Sequence, residues 1–175
     1  MAATVEIDRA RPADLPTLLE LWGDLAAFHA RLDPAFAPAP HWRSAYEAYL
    51  LDLMHRDDTR VLVARVAGTV VAFAVGRLTT LPPFFADRRR GYIQDVVTDP
   101  RYRRRGIATR LVEHLLAWMA EEGIVTVELT VAVGNPEAMR FWERLGFRVY
   151  MHQARRQLHA PAPPAPSGRR GGKTR

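Results

Sequence analysis

The sequence predicts an α+β fold: a mixed, mostly antiparallel central sheet of six to seven strands, flanked by helices on both faces. Two kinds of run alternate along the chain. Some are rich in β-branched residues, and others are amphipathic with apolar residues at helical spacing. Their order is strand, two helices, three strands, helix, strand, helix, strand. This mixture of neighbouring strands and interspersed helices is typical of a sheet covered on both sides.

The first half of the chain supplies one strand, two helices and a hairpin. The alternating run 4–10 predicts the first strand. Asp14 is a good N-cap residue and predicts the start of a helix, which a Pro-rich stretch ends. A second amphipathic run begins at Trp42. Two β-branched runs then flank Ala67 and Gly68, which predicts a β-hairpin.

The second half continues with a strand, the longest amphipathic run and another strand. The run GYIQDVVTD predicts a strand that ends before Pro100. A helix is expected over about 105–122, and Gly123 is a suitable residue to end it. The apolar, β-branched run 124–133 predicts a strong strand.

The last helix has the clearest boundaries. Asn135 is a favourable N-cap, Pro136 suits the first turn, and Gly146 suits the C-terminal end. The run 147–158 predicts a return to strand. The remaining segment, 159–175, is rich in Pro, Gly and Arg and is expected to be a disordered basic tail.

Composition indicates one soluble, cytoplasmic domain over residues 1–158. The chain has 175 residues and no cysteine, which excludes a disulfide framework and a thiol nucleophile. No apolar run approaches the roughly 18–20 residues that cross a bilayer, and the six histidines show no metal-ligand spacing. The net charge is +6, but 161–175 contains four basic and no acidic residues, leaving +2 for the rest. Charge therefore gives little support for a nucleic-acid partner.

Positive charge is concentrated where the long helix is expected to begin. Arg103, Arg104 and Arg105 precede Gly106 at this point. A helix N-terminus presents unpaired N–H groups and the positive end of the helix dipole, so it disfavours cations and attracts anions. Gly106 has no Cβ to keep a phosphate from the backbone. The segment therefore has the chemistry of a pyrophosphate site, although a solvated surface patch would use the same residues.

Two motifs together resemble one known family. VVTDPRYRRRGIATRLVEHLLAWM is similar to the acetyl-CoA-binding core of the GNAT superfamily of N-acetyltransferases, with its Arg/Gln-x-x-Gly-x-Gly/Ala motif at Arg103, Gly106 and Ala108. The later run NPEAMRFWERLGF resembles the family's Asn-x-x-Ala-x-x-Phe-Tyr-x-x-x-Gly-Phe signature. The order and spacing of the motifs agree with the family, and the resemblance is strong over 91–147.

The resemblance implies an acetyl-CoA site between two neighbouring strands, YIQDVVT (92–98) and TVELTV (126–131). These two strands would splay apart. The pantetheine arm would pair with the backbone there, and the amide of Val97 would polarise the thioester carbonyl. Asn135 would contact the arm or its ordered water, although it could serve as an N-cap alone. The residues implied to bind acetyl-CoA are Val96, Val97, Thr98, Arg103, Arg104, Arg105, Gly106, Ile107, Ala108, Thr109 and Asn135.

Acetyl transfer also needs a base, and it often uses an acid. Asp95, on the strand that would carry the thioester, is the best candidate for the base. Strand alternation would place Gln94 and Asp95 on opposite faces. In many family members a tyrosine serves as the acid for the leaving thiolate, but Trp142 occupies its position. Tyr92 and Tyr150 remain as candidates, and the thiolate could also leave unaided.

The resulting hypothesis is an enzyme that acetylates a primary amine of a small molecule or protein by direct attack in a ternary complex. Its partners would be acetyl-CoA and that amine, without a metal or a membrane, and a homodimer is possible. The first two helices and the loop 79–90 would surround the acceptor. The alternative hypothesis is a non-catalytic acyl-CoA-binding module.

Overall fold

The computed structural model describes residues 4–157, and within them one sheet contains five strands. Neighbours in the sheet follow chain order, β1 to β5. Each neighbouring pair of strands from β1 to β4 is antiparallel, whereas β5 runs parallel to β4. The strands are β1 (Val5–Arg9), β2 (Thr59–Val66), β3 (Thr69–Thr80), β4 (Arg89–Thr98) and β5 (Val127–Glu128).

Helices cover both faces of the sheet, as the sequence predicts. The four α-helices are α1 (Leu15–Leu32), α2 (Trp42–His55), α3 (Ile107–Glu121) and α4 (Pro136–Arg144). One buried cluster joins α1 and α2 to one face, with Phe73 and Val97 at its centre. The other joins α3 and α4 to the opposite face, where Leu111 and Leu115 are fully buried. The sheet therefore lies between two cores.

The expected strand count was wrong at the C-terminal end of the sheet. The run 124–133 forms a strand only at Val127 and Glu128, and residues 147–157 form none. A strand needs a neighbour to pair with, and residues 129–133 have none because the chain leaves β4. Sequence alternation reports a side chain's polarity and not the presence of that neighbour. The predicted tail, 159–175, lies outside the described residues.

The predicted helix ends are confirmed at both glycines and at the asparagine cap. Gly123 follows α3 with φ +73°, and Gly146 follows α4 with φ +87°. Positive φ costs little without a Cβ, so glycine suits both positions. Asn135 Oδ1 accepts a hydrogen bond from the Ala138 N–H at 3.1 Å, and Pro136 is the first residue of α4. The short motif thus fixes α4 locally.

Asp14 precedes α1 as predicted, but its side chain does not cap that helix. Its Oδ2 accepts from the Arg11 N–H at 2.8 Å, one turn before α1. Both carboxylate oxygens also accept from Nη2 of Arg65, at 2.9 and 2.8 Å. The Asp14 and Arg65 side chains are only 9% and 16% exposed. This pair therefore anchors the start of α1 to β2.

Arg65→Met is expected to destabilise the protein by about 3–5 kcal/mol, because removing one partner leaves a buried, uncompensated charge on the other. The free energy of unfolding in urea measures this loss. Adding Asp14→Asn to the variant should recover part of it. Arg56→Met is the matched control, since the Arg56–Asp58 pair is solvent-exposed and should contribute less than about 1 kcal/mol. Equal losses for the two single variants would contradict the anchoring role of Asp14.

Candidate active site

A β-bulge in β4 places Gln94 and Asp95 on the same face of the sheet. The ladder pairs Asp95 with Val75 and Ile93 with Gly76, so Gln94 is an extra residue without an opposing partner. The alternation argument, which placed the two side chains on opposite faces, was therefore wrong. Gln94 Nε2 donates a hydrogen bond to Asp95 Oδ2 at 3.0 Å. The bulge turns two neighbouring polar side chains toward α1 and α2.

Tyrosines of α2 hold both side chains in place. The Tyr46 hydroxyl donates to Asp95 Oδ2 at 3.1 Å, and the Tyr49 hydroxyl donates to Gln94 Oε1 at 2.7 Å. Tyr46 is itself buried and stacks on Trp22 of α1, with 4.2 Å between ring centroids and 22° between ring planes. Two helices and one strand therefore fix the position of a single carboxylate.

Burial dominates the electrostatics of Asp95. Desolvation raises the pKa of this carboxyl group above its ordinary value, and hydrogen bonds from Gln94, Tyr46 and Trp22 only partly offset that rise. Burial also raises the pKa of Tyr46, and the charge on Asp95 adds to the effect. Tyr46 therefore remains a hydrogen-bond donor at neutral pH. A carboxylate with a raised pKa binds a proton more readily, as a general base requires.

The outer edge of β4 is open over most of its length. Strand β5 pairs with β4 only at Gly91 and Tyr92. The Tyr92 hydroxyl lies 3.0 Å from Thr130 Oγ1, near the point where β4 and the segment after β5 separate. Beyond Tyr92, residues 93–98 of β4 pair only with β3 among the described residues. A gap bordered by unpaired backbone therefore begins beside the bulge.

The ladder determines which amides face this gap. The Asp99 N–H donates to the Val71 carbonyl of β3 at 2.9 Å. Backbone N–H groups alternate in direction along an antiparallel strand, so the Val97 N–H also points toward β3. The N–H groups of Val96 and Thr98 point the other way, toward the open edge. The Val97 side chain is buried in the core beneath α1 and α2.

Two residues with positive φ shape the segment between β4 and α3. Arg104 has φ +61° and Gly106 has φ +74°. Successive N–H groups around left-handed residues form a concave anion-binding shape. A Cβ built on Gly106 would meet no atom within 4 Å, so the space in front of this residue is open. Glycine is needed here for its backbone conformation and not because the protein crowds it.

The amides of residues 104–109 have no acceptor within the described part of the chain. The Arg103 N–H donates to the Pro100 carbonyl at 3.4 Å, and the Arg110 N–H donates to the Gly106 carbonyl at 3.1 Å. No N–H between these two finds a protein acceptor in residues 4–157. The Ile107 side chain is nevertheless buried in the core. The segment is thus fixed by packing while its donors remain available.

The three arginines differ in their contacts. Arg103 Nε donates to the Thr98 carbonyl at 3.2 Å, which ties the segment back to the end of β4. The Arg105 guanidinium lies over the Tyr102 ring, 5.2 Å from its centroid. All three side chains of Arg103, Arg104 and Arg105 are exposed. An anion at the start of α3 could therefore recruit guanidinium groups without breaking a buried contact.

The aromatic candidates for an acid lie in three different environments. Trp142 is only 9% exposed and packs edge-on against Phe147, with 5.3 Å between ring centroids. Tyr150 is 69% exposed on the segment that follows α4. Tyr92 alone of the three lies on β4, where the gap begins. The Trp142 side chain is thus a core residue, and an indole N–H could not supply a proton in any case.

Sequence reasoning did not single out the residues that surround Asp95. A pocket of about 130 Å³ opens above its carboxylate. Trp22 and Tyr46 belong to the apolar stripes of α1 and α2, where an aromatic side chain carries the same signal whether it lines a pocket or fills a core. Only the bulge brings Asp95 to them. The pocket is lined by Trp22, Leu25, Ala26, His29, Phe36 and Asp95.

Within residues 4–157, no group of three or more His, Cys, Asp or Glu side chains could hold a metal ion. The same part of the chain contains no helix that is both long enough and apolar enough to cross a membrane.

Known proteins resemble this chain in sequence and in fold. The sequence profile of the Acetyltransferase (GNAT) family matches residues 25–147. The uncharacterized N-acetyltransferase MJ1207 of Methanocaldococcus jannaschii is 30% identical over 144 residues, which cover 82% of this chain and 61% of that protein. The chain thus spans less than two thirds of this relative. Glucosamine 6-phosphate N-acetyltransferase of Trypanosoma brucei brucei is 29% identical over 157 residues, covering 88% and 96%.

A solved structure supports the same fold. Aminoglycoside N-acetyltransferase AAC(6')-Iy, in complex with CoA, superposes with a TM-score of 0.71 at 16% identity, covering 91% of this chain and 98% of that one. At this level of identity the likeness concerns the fold alone. The α+β arrangement with helices on both faces is therefore shared with a known acetyltransferase.

Asp95→Asn is expected to stabilise the protein at pH 7, because burial raises the folded-state pKa of Asp95 and so disfavours its charged form. A raised carboxyl pKa gives stability that is present below the unfolded pKa of about 3.9 and is lost as pH rises through the folded pKa. The gain in the urea midpoint should therefore be absent near pH 3.5 and grow toward neutrality. Asp24→Asn, at an exposed carboxylate of α1, is the control. A gain that shrinks as the pH rises would contradict this account.

Proposed function

Because the chain belongs to the Acetyltransferase (GNAT) family, a family of acetyl-CoA-dependent N-acetyltransferases, we propose that it transfers the acetyl group of acetyl-CoA to a primary amine. The amine attacks the thioester directly, while both substrates are bound. One observation carries the proposal. The amides of residues 104–109, which have no acceptor within residues 4–157, lie next to the open edge of β4, and that edge leads to a buried carboxylate.

The first role belongs to the segment between β4 and α3, which binds the diphosphate of acetyl-CoA. The amides of Arg104, Arg105, Gly106, Ile107, Ala108 and Thr109 supply the donors. The N-terminal end of the α3 dipole and the exposed guanidinium groups of Arg103–Arg105 supply the compensating charge. An anion here also relieves the repulsion between three cations and that dipole end.

The second role belongs to the open edge of β4, along which the pantetheine arm lies as an additional strand. Val96 and Thr98 direct their N–H groups toward this edge, whereas Val97 pairs with β3. The Val96 amide, rather than the Val97 amide, is therefore the donor that polarises the thioester carbonyl. A fixed amide in this role is worth about 3–4 kcal/mol in well-studied hydrolases. Asn135 caps α4 through Oδ1, so its Nδ2 is the group that would contact the arm.

The third role belongs to Asp95, which accepts the proton of the amine. A free alkylammonium has a pKa near 10 and must lose a proton before it can attack. Asp95 takes that proton, and the neutral nitrogen forms a bond to the acetyl carbonyl carbon. The C–S bond then breaks and CoA leaves as its thiolate. The nitrogen, which now carries two hydrogens and a positive charge, releases one proton to water and keeps the other in the amide product. A thiol pKa near 8.5 makes the thiolate a tolerable leaving group, so the buried Trp142 need not act.

The arrangement around Asp95 favours catalysis over a purely binding function. A non-catalytic acyl-CoA-binding module would need the amides and the β4 edge alone. It would have no use for a desolvated carboxylate that two tyrosines and Gln94 orient at the end of a pocket. Burying such a carboxylate costs stability. The proposed reaction explains this burial, because it uses Asp95 as the proton acceptor.

Gly106→Val is expected to weaken acetyl-CoA binding by at least about 100-fold, because a β-branched residue disfavours φ +74° and its side chain would project into the open space. Isothermal titration calorimetry with acetyl-CoA measures the effect. Gly146→Val is the matched control. Gly146 also has positive φ and open space around its Cβ position, but it ends α4.

Both glycine variants should lose a similar amount of stability, so unfolding in urea separates strain from ligand binding. An unchanged acetyl-CoA affinity in folded Gly106→Val would exclude this segment as the diphosphate site. Equal loss of affinity in Gly146→Val would show that the effect is only a consequence of strain.

Asp95→Asn is expected to lower kcat by about 10²–10⁴-fold, the usual contribution of a general base, with little change in the Kd of acetyl-CoA. Thiol release during turnover measures kcat between pH 6 and 9. Because burial raises the pKa of Asp95, the acidic limb of the wild-type rate should lie at higher pH than an ordinary carboxyl group would give, and the variant should lack this limb. Full activity of the variant across this range would exclude Asp95 as the base.

A further inference from the structure

We propose that the acceptor is a compact primary monoamine with an apolar body about the size of a benzene ring, as in an arylmethylamine or a short branched alkylamine. This inference rests on the proposed function, because it assigns the pocket above Asp95 to the amine. The size, the lining and the charge of the pocket all support this class of substrate.

The size of the pocket limits the body of the acceptor. Its volume is about 130 Å³, and an apolar cavity of roughly 150 Å³ is known to hold one benzene molecule. The side chains of Leu25 and Ala26 contribute apolar wall, and the rings of Trp22 and Phe36 contribute flat faces. A sugar or a peptide segment placed in this pocket would set its hydroxyl or amide groups against apolar walls.

Contacts between aromatic rings position two sides of the pocket. Trp22 is stacked on Tyr46 and lies 5.0 Å from the Trp42 ring, measured between centroids. His29 and Phe36 form the other side, with 6.2 Å between their ring centroids. Aromatic faces also attract an ammonium group. The pocket thus offers an apolar space with a single charged end.

Charge around the pocket argues against phosphorylated and polycationic acceptors. Asp95 is the one carboxylate among the lining residues, and no lysine or arginine lines the pocket in the described part of the chain. The guanidinium of Arg155 lies over the Phe36 ring and is paired with Asp33. A phosphate would therefore find no arginine or lysine among the lining residues, and the second ammonium of a polyamine would find no second carboxylate there.

An amine panel tests the substrate class directly. Full-length protein with acetyl-CoA is given benzylamine, isoamylamine, glucosamine 6-phosphate, spermidine or a short peptide with an N-terminal alanine. Release of CoA thiol is followed, and the acetylated product is identified by mass spectrometry. We expect kcat/KM for benzylamine or isoamylamine to exceed that of each of the other three by at least about 10-fold. A higher value for any of those three would overturn the proposal.

Variants that change the volume of the pocket test its role. Ala26→Leu fills the pocket and should raise KM for benzylamine by at least about 10-fold, with the Kd of acetyl-CoA unchanged. Ala27→Leu makes the same change at the next, exposed position of α1 and should change neither value. Phe36→Ala removes a rim side chain that is 52% exposed, so it keeps the test open if Ala26→Leu fails to fold.

Phe36→Ala should shift preference from benzylamine toward a bulkier amine such as naphthylmethylamine. Phe84→Ala, at a side chain that is 80% exposed and lies outside the pocket lining, is its control. Unchanged selectivity in folded Phe36→Ala would place the acceptor elsewhere.

The outcomes separate this inference from the proposed function. If acetyl-CoA binds and a peptide or a phosphosugar is acetylated but benzylamine is not, the proposed substrate class is excluded and the acetyltransferase proposal is supported. If calorimetry shows no acetyl-CoA binding, the substrate class and the acetyltransferase proposal are both excluded. If acetyl-CoA binds but no amine is acetylated, and benzylamine also fails to bind the protein–CoA complex, the substrate class is again excluded.

Discussion

Among the described residues, strand β4 has a hydrogen-bonded neighbour on one side only beyond Tyr92, and the proposed site depends on this loss of pairing. The parallel partner β5 contributes two residues and then leaves. Exposed strand edges invite pairing with another chain, so an unsatisfied edge inside a mixed sheet is a natural place for an extended ligand. The amides of residues 104–109, which have no acceptor in the described chain, follow this edge in sequence and lead into the start of α3. The result is a line of backbone donors that suits the proposed ligand, which has a diphosphate at one end and an amide-containing arm at the other.

The bulge at Gln94 determines where the carboxylate of Asp95 lies relative to that line of donors. Without it, Asp95 would point toward α3 and the donors would end beside an apolar core. With it, Asp95 faces α1 and α2, while the Val96 amide still faces the open edge. The proposed proton acceptor and the proposed donor to the thioester carbonyl are therefore on adjacent residues of one strand. The Asp14–Arg65 pair fixes the start of α1 against β2, which in turn holds Trp22 and Tyr46 around the carboxylate.

The sequence predicts the features that are written in short motifs. Asn135, Pro136 and Gly146 define α4, and the Arg-Gly segment marks the start of α3, because caps and turns depend on a few adjacent residues. The number and length of the last strands were overestimated, because strand pairing depends on a partner that is distant in sequence. The faces of Gln94 and Asp95 were wrong because a bulge is set by the register with β3. The sequence places the first two helices around the acceptor, but it does not show which of their side chains line the pocket at Asp95, because aromatic residues of α1 and α2 have the same pattern in a core.

The most direct test of the central claim is amide hydrogen exchange, resolved by residue with NMR, in the free protein and with saturating acetyl-CoA. In the free protein, the amides of residues 104–109 should exchange rapidly, because the described chain offers them no acceptor. Acetyl-CoA should slow their exchange and that of Val96 and Thr98, while Val97 should already be protected by β3. Amides of 104–109 that are protected without ligand, or that acetyl-CoA leaves unchanged, would contradict the account.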